Sequence, residues 1–190
     1  MPVTNLDPVT ALVVIDLQRG MVGLPTVHPF AEIVGRAARL AEAFRRRGWP
    51  VALVNVAGRA PGRTDAGPAR LSFPPNWTDV LPELDRQPDD IIITKHRVGA
   101  FIGTSLDEQL RRRGVTQVVL VGVATSGGVE ATARSAHDHG YSVALVVDAM
   151  TDLAADAHRL MVERVFPRIG ETATTDELLQ CARRSPEPAT

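Results

Sequence analysis

Ala11-Leu12-Val13-Val14-Ile15-Asp16 sets an unbroken aliphatic run directly against a carboxylate. A strand wetted on one face alternates apolar and polar residues. A run with no polar member reads as a strand buried on both faces, as in a parallel sheet covered by helices. The same shape recurs along the chain. Val51-Ala52-Leu53-Val54-Asn55-Val56 precedes Ala57-Gly58, and Ile91-Ile92-Ile93-Thr94 precedes Lys95. Val118-Val119-Leu120-Val121 precedes Gly122, and Val143-Ala144-Leu145-Val146-Val147 precedes Asp148. Helical periodicity fills the gaps. From Phe30 to Arg47, apolar residues fall at Ile33, Val34, Ala37, Leu40, Ala41 and Phe44, three or four apart, and Gly48 closes the segment. Thr104 to Arg113 opens on Ser105-Leu106-Asp107-Glu108, a capping-box pattern, and ends at Gly114. Further helices are expected over Val129 to His139, Ala154 to Val165 and, more weakly, Asp176 to Arg184. Alternating strands and helices predict an α/β fold, a parallel sheet with helices on both faces and right-handed crossovers.

The 190 residues suit one domain spanning 1–190, with 1–9 and 185–190 expected to be flexible ends. Apolar residues at 44% and charged residues at 23% are globular proportions. A net charge of −1 offers no basic excess to neutralise phosphates, so no nucleic-acid partner is expected. The only cysteine, Cys181, excludes an intramolecular disulfide and a cysteine-built zinc site. No apolar run approaches the roughly 18 residues of a membrane span. Met1 to Thr10 shows no basic segment followed by an apolar one. The expectation is a soluble cytoplasmic protein with no membrane partner. Between Gly58 and Pro88 the pattern breaks at Arg59-Ala60-Pro61-Gly62-Arg63 and Phe73-Pro74-Pro75-Asn76-Trp77. Pro61, Gly62 and Pro68 predict a mobile loop, either functional or a surface excursion, with Trp77 as its anchor. The tail Ser185-Pro186-Glu187-Pro188 is expected to be disordered.

In an open parallel sheet, ligands bind outside the carboxyl ends of the strands. Asp16 and Lys95 stand at two of those ends. Of 21 basic residues, Lys95 is the single lysine and the rest are arginine. An ammonium is compact and can shift its pKa, which a guanidinium cannot. A carboxylate and an ammonium at the edge of a dry core need each other, as a structural ion pair or as a working one. The turn Val123-Ala124-Thr125-Ser126-Gly127-Gly128 leads from the fourth strand into a helix. Its glycines permit tight geometry, and its amides face a helix N-terminus. That is an oxyanion-binding arrangement in outline, or an ordinary strand-to-helix turn. No dinucleotide or phosphate-loop glycine pattern follows any strand.

Three segments together carry a resemblance. Val14-Ile15-Asp16-Leu17-Gln18, Lys95 to Leu106 (KHRVGAFIGTSL) and Val121 to Arg134 (VGVATSGGVEATAR) resemble, in order and spacing, the motifs of the isochorismatase-like hydrolases. The resemblance implies a three-layer, Rossmann-like α/β/α fold with a six-stranded parallel sheet, a small-molecule substrate and a homodimer or homotetramer. It implies a site of aspartate, lysine and, in most members, a cysteine nucleophile. Asp16 and Lys95 match the first two, while the cysteine position falls on Gly128. Cys181 lies in the terminal helix and cannot substitute. Ser126 is two residues, roughly 6–7 Å of extended chain, from the vacated position. A cis peptide is implied at Ala124–Thr125. Gln18, Trp77, Phe101, Ala124 and Thr125 are the residues expected to bind substrate.

Members acting through cysteine form acyl intermediates. The true isochorismatases are similar to this sequence in having glycine at that position. They hydrolyse a vinyl ether by protonating its carbon and adding water, which requires an acid and a water rather than a nucleophile. Burial would raise the Asp16 pKa and Lys95 would lower it, making the residue an acid or a base accordingly. The glutamine that isochorismatases carry after the second strand is absent from Val54-Asn55-Val56-Ala57-Gly58. Arg59, Arg63 and Arg97 could hold a carboxylate in its place or be surface charges. Neither metal nor cofactor is expected, since the zinc-binding Asp-x-His pattern of nicotinamidase-like members is missing. His28, His96, His137, His139 and His158 read as surface or packing residues, with His96 set apart because it adjoins Lys95. The alternatives to a vinyl-ether hydrolase are a catalytically silent binding protein, or an amide or carbamate hydrolase using activated water or Ser126.

Overall fold

The structure, a computed structural model, describes residues 3–65 and 73–185. Six strands, β1 (Thr10–Ile15), β2 (Val51–Val56), β3 (Ile91–Lys95), β4 (Gln117–Val123), β5 (Ser142–Thr151) and β6 (Glu171–Ala173), form one sheet in the order β3-β2-β1-β4-β5-β6. Every pairing is parallel. The helices are α1 (Phe30–Arg46), α2 (Leu106–Arg112), α3 (Glu130–Asp138), α4 (Ala155–Leu160) and α5 (Thr175–Arg184). Helices cover both faces, giving the three-layer α/β/α fold.

The core divides along the sheet. Leu12, Val14, Leu53, Val119 and Val121 pack on one face against Ile33, Leu40 and Phe44 of α1 and Leu178 of α5. Ala11, Val13, Ile15, Val118 and Leu120 pack on the other against Leu106 and Leu110 of α2 and Ala133 and Ala136 of α3. Successive side chains of one strand thus serve opposite cores, which is why the central stretches 11–15 and 118–121 carry no polar residue. The buried positions of α1 are the six that its periodicity singled out.

The chain leaves β1 toward β2 and β3, then returns to place β4 on the other side of β1. That reversal falls between β1 and β4, and a fold of this class binds its ligand outside the carboxyl ends of the strands at such a point. The two strands meet closely there. Ile15 pairs with Gly122, whose φ is +122°, and a Cβ on Gly122 would lie 2.0 Å from the Ile15 carbonyl oxygen.

Several boundaries differ from expectation. Strand β5 does not stop at Asp148 but runs to Thr151, through a register shift between Leu120 and Gly122 of its neighbour. Asp148 instead accepts hydrogen bonds from the Thr175 amide and hydroxyl. Ser105 does not cap α2 with its side chain; the Thr104 hydroxyl accepts the Leu106 amide instead. The capping box is at Thr174 and Glu177, on α5. Helix α4 ends at Leu160, and a π-turn over Met161–Val165 continues it. The N-terminal stretch, expected to be loose, is packed from Val3: Val3 and Leu6 are buried, and the Val3 amide donates to the Thr172 carbonyl at 3.1 Å. Ser185 is buried too. Pro68 and the tail residues Pro186, Glu187 and Pro188 lie outside the described residues. Among the described residues, no helix is long and apolar enough to cross a membrane.

Candidate active site

Asp16 leaves β1 with φ +54°, a left-handed conformation that few non-glycine residues adopt. Its amide donates to the Val54 carbonyl at 2.9 Å, so the side chain is aimed from a backbone fixed on both sides. Lys95, the last residue of β3, reaches it: Nζ lies 2.8 Å from Asp16 Oδ2, with the two side chains 3% and 7% exposed. The same Nζ donates to the Arg97 carbonyl at 3.3 Å. Asp16 Oδ1 is buried and has no hydrogen-bond partner among the described residues. Burial pushes the Asp16 carboxyl up from 3.8 to about 6, and the charge and hydrogen bond of Lys95 only partly oppose it. The competition the sequence left open is settled in favour of burial.

The turn after β4 faces this pair. Its cis peptide is Val123–Ala124, one residue earlier than the resemblance implied. The amides of Gly127 and Val129 both donate to the Ala124 carbonyl, at 3.0 and 3.1 Å. The Ser126 amide donates to Asp152 Oδ2 at 2.6 Å. Gly128 is buried, and a Cβ built on it would meet Asp16 Oδ2 at 3.2 Å and Ile15 Cγ2 at 3.0 Å. A side chain at position 128 would therefore point at the carboxylate. Ser126 is exposed, with its amide committed to Asp152. The Thr132 hydroxyl donates to the Gly128 carbonyl at 2.6 Å and accepts the Ala100 amide at 3.0 Å, tying the turn to the segment after Lys95. Thr125 is fully buried, and its hydroxyl lies 2.8 Å from His158 Nδ1.

The other expected substrate-binding residues are placed differently. Gln18 is buried and fully engaged. Its Nε2 donates to the Val56 and Trp77 carbonyls, and its Oε1 accepts the Val56 amide. It braces the loop instead of presenting a free amide. Trp77 is the anchor its position suggested: its ring lies over Gly20, where a Cβ would come within 2.2 Å of it, and 5.2 Å from the Phe73 ring. Phe101 turns the other way. It packs 5.2 Å from His139 and 5.9 Å from Tyr141, at the amino end of β5 and away from the carboxyl ends where Asp16 sits.

Asp152 escaped the sequence reading, and His158 reads there only as a surface or packing residue. Asp152 is buried. Burial raises its carboxyl pKa, but hydrogen bonds from the amides of Ser126, Leu153 and Ala154 outweigh that and leave it below the ordinary carboxylate range. It follows a strand end as Asp16 does, but that end lies at Thr151, past the apparent stop at Asp148. His158 has no such signal, because its contact with Thr125 depends on how α4 folds back. Among the described residues, no three His, Cys, Asp or Glu side chains come together as a metal site.

A three-layer α/β/α sheet with a buried acid–ammonium pair at the carboxyl ends of its strands has the form of an enzyme's active site. The chain belongs to the isochorismatase family, and it is a hydrolase: the family model described as Isochorismatase domain matches residues 10–177. It is similar to the isochorismatase family protein YwoC of Bacillus subtilis (strain 168), at 39% identity over 95% of this chain and 98% of that one. A solved isochorismatase family structure from Burkholderia thailandensis matches with a TM-score of 0.90 and 41% identity, covering 94% of this chain and 98% of the other. Relatives with more specific names include the phenazine biosynthesis protein PhzD1 of Pseudomonas aeruginosa, at 32% identity over 93% of this chain and 88% of the relative. Another is the maleamate amidohydrolase of Pseudomonas putida, at 28% over 91% and 86%.

Proposed function

We propose that the protein hydrolyses a small metabolite without a covalent intermediate on the chain, by vinyl-ether cleavage with Asp16 as the acid. The observation that carries this reading is the state of Asp16: buried, raised to about 6, and with Oδ1 unpartnered beside a residue that has no side chain. A carboxyl titrating there is protonated in a useful fraction near neutral pH and can give up its proton readily. Asp16 donates that proton to the terminal carbon of the enol ether, and the electron pair of the carbon–carbon double bond forms the new C–H bond. The resulting oxocarbenium ion takes a water at the former ether carbon, the water loses a proton to Asp16, and the hemiketal collapses to a ketone and an alcohol. Lys95, 2.8 Å from Oδ2, stabilises the carboxylate at the moment it is charged. The amides of Ser126, Gly127 and Val129 are engaged, and those around Thr125 and Gly128 are assigned to bind a substrate oxygen. Catalysis is thus assigned to Asp16, Lys95 and Gly128, with a small-molecule substrate and self-association as a homodimer or homotetramer.

The test is turnover of isochorismate, followed by pyruvate release, alongside a panel of amides and carbamates. The wild-type chain should release pyruvate, and Asp16→Asn and Lys95→Ala should each lose at least about 100-fold, the contribution of a positioned acid or charge. Amide turnover carried by an acyl-Ser126 adduct, or a tightly bound ligand recovered intact, would replace the reading with a serine hydrolase or a silent binding protein.

A further inference from the structure

His158 of α4 and His28, which precedes α1, meet beside the turn. Their rings lie edge to face, with centroids 4.7 Å apart. His28 is held by Thr151: its amide donates to Thr151 Oγ1 at 3.0 Å, and its Nδ1 lies 3.3 Å from the same oxygen. Asp152, the next residue, accepts the Ser126 amide. The carboxyl end of β5, the approach to α1 and α4 therefore all converge on Thr125–Ser126.

The Thr125 hydroxyl is fully buried, and the only partner shown for it among the described residues is His158 Nδ1. A buried hydroxyl must donate its proton to something. For it to do so here, Nδ1 must be the bare nitrogen of a neutral imidazole, with the ring proton on Nε2. If His158 gains a second proton, Nδ1–H becomes the donor and the Thr125 hydroxyl must turn its own proton to another acceptor.

We infer that His158 is a positioning residue for the site: as a neutral acceptor it fixes the Thr125 hydroxyl, and through it the turn that carries the Thr125 and Gly128 amides. The catalytic importance of that turn rests on the function proposed above; the positioning itself does not. The charged and titratable groups facing the ring are His28, from the approach to α1, and Asp152, from the end of β5. On α4 itself, Asp156 and Arg159 are exposed. Burial, and next the neighbouring His28, hold His158 below the ordinary histidine range, while Asp152 pulls the other way. The neutral acceptor form is therefore the one present at neutral pH.

The test is nuclear magnetic resonance on the full chain, with nitrogen-15 in the histidine rings and the backbone. At neutral pH the His158 ring should show its proton on Nε2 and an acceptor Nδ1. On acidification, the amides of Thr125, Ser126, Gly127 and Gly128 should shift with the midpoint of the His158 ring, below that of an unperturbed histidine. Asp16→Asn should leave this midpoint in place, separating it from the titration of Asp16. In His158→Ala the linked shift should vanish and the neutral-pH positions of the four amides should move. In His158→Asn, whose side-chain amide can stand where Nδ1 stood, the wild-type positions should return without a titration. The inference is overturned if the four amides do not follow the ring, if the neutral ring carries its proton on Nδ1, or if His158→Ala leaves those amides unmoved. None of these readings requires turnover, so the vinyl-ether function can fail while this stands, and the reverse.

Discussion

At the residue scale, Asp16 is a native group kept from its comfortable charge state. Its folded pKa of about 6 exceeds the ordinary 3.8, so between those values the native chain holds a proton that the unfolded chain has released. By linkage, the stability Asp16 contributes is fully present below about pH 4 and is lost as pH rises to about 6. The loss is on the order of 3 kcal/mol for a shift of about two units. Other groups slope the opposite way: His158 is depressed, and Asp152 is held down once its amide bonds overcome burial. The measurement is therefore a comparison. Urea unfolding at a series of pH values should show that wild type loses stability relative to Asp16→Asn between pH 4 and 6, and parallel curves would refute it. Removing Lys95 takes away what opposes burial, so Lys95→Met should move the Asp16 carboxyl, followed by its carbon-13 shift, above 6. Position and partner were both legible here. A carboxylate and the single lysine at strand ends announce each other through the cost of leaving either alone in a dry core. Which influence wins depends on how completely the neighbours exclude water, and no run of residues states that.

At the scale of elements, strands were easier to read than their ends. Continuous aliphatic runs reflect burial on both faces, and that demand acts on every residue of a strand. A strand's end is decided by its partner: β5 passes Asp148 because a register shift against β4 keeps it paired to Thr151, and so Asp152 was missed. Cap patterns are similarly ambiguous, since Ser105 and Thr174 both stand three residues ahead of a glutamate and only Thr174 makes the box. Thr174→Ala should cost about 1 kcal/mol, the usual worth of an N-cap, seen as a lowered urea midpoint with an unchanged slope. The two glycines of β4 and its turn should part company. At Gly122 a methyl group would enter the Ile15 backbone at 2.0 Å, at a φ hostile to side chains, so Gly122→Ala should accumulate little folded protein. At Gly128 the nearest atoms, at 3.0 and 3.2 Å, belong to the side chains of Ile15 and Asp16, which can give slightly. Gly128→Ala should therefore fold but lose turnover by crowding the carboxylate. Equal folding of the two variants would show that β1 and β4 do not meet as closely as described.

Across the whole molecule, the layers are closed except on one flank. Helix α4 buries none of its own residues and is anchored through the π-turn that continues it, whose Met161, Val162 and Val165 pack against the core. Leu153 and Leu160, just before α4 and at its end, are each 53% exposed. On the segment after β3, Val98 and Ile102 are exposed as well. Elsewhere the surface carries exposed ion pairs such as Arg46–Glu42 and Arg112–Glu108, which contribute little to stability but keep water and discourage sticking. A helix with no buried residue of its own, flanked by bare leucines, fits a surface that is covered when copies of the chain associate. Sedimentation velocity at micromolar concentration should therefore find a dimer or tetramer. Replacing both Leu153 and Leu160 with glutamate should shift it to monomer, because a buried interface does not accept unpaired carboxylates. The same double variant should weaken the His158–Thr125 contact as well, since α4 would lose the packing that holds its histidine against the turn. A wild-type chain that sediments as a monomer would mean that α4 is held only by the contacts it makes within its own subunit.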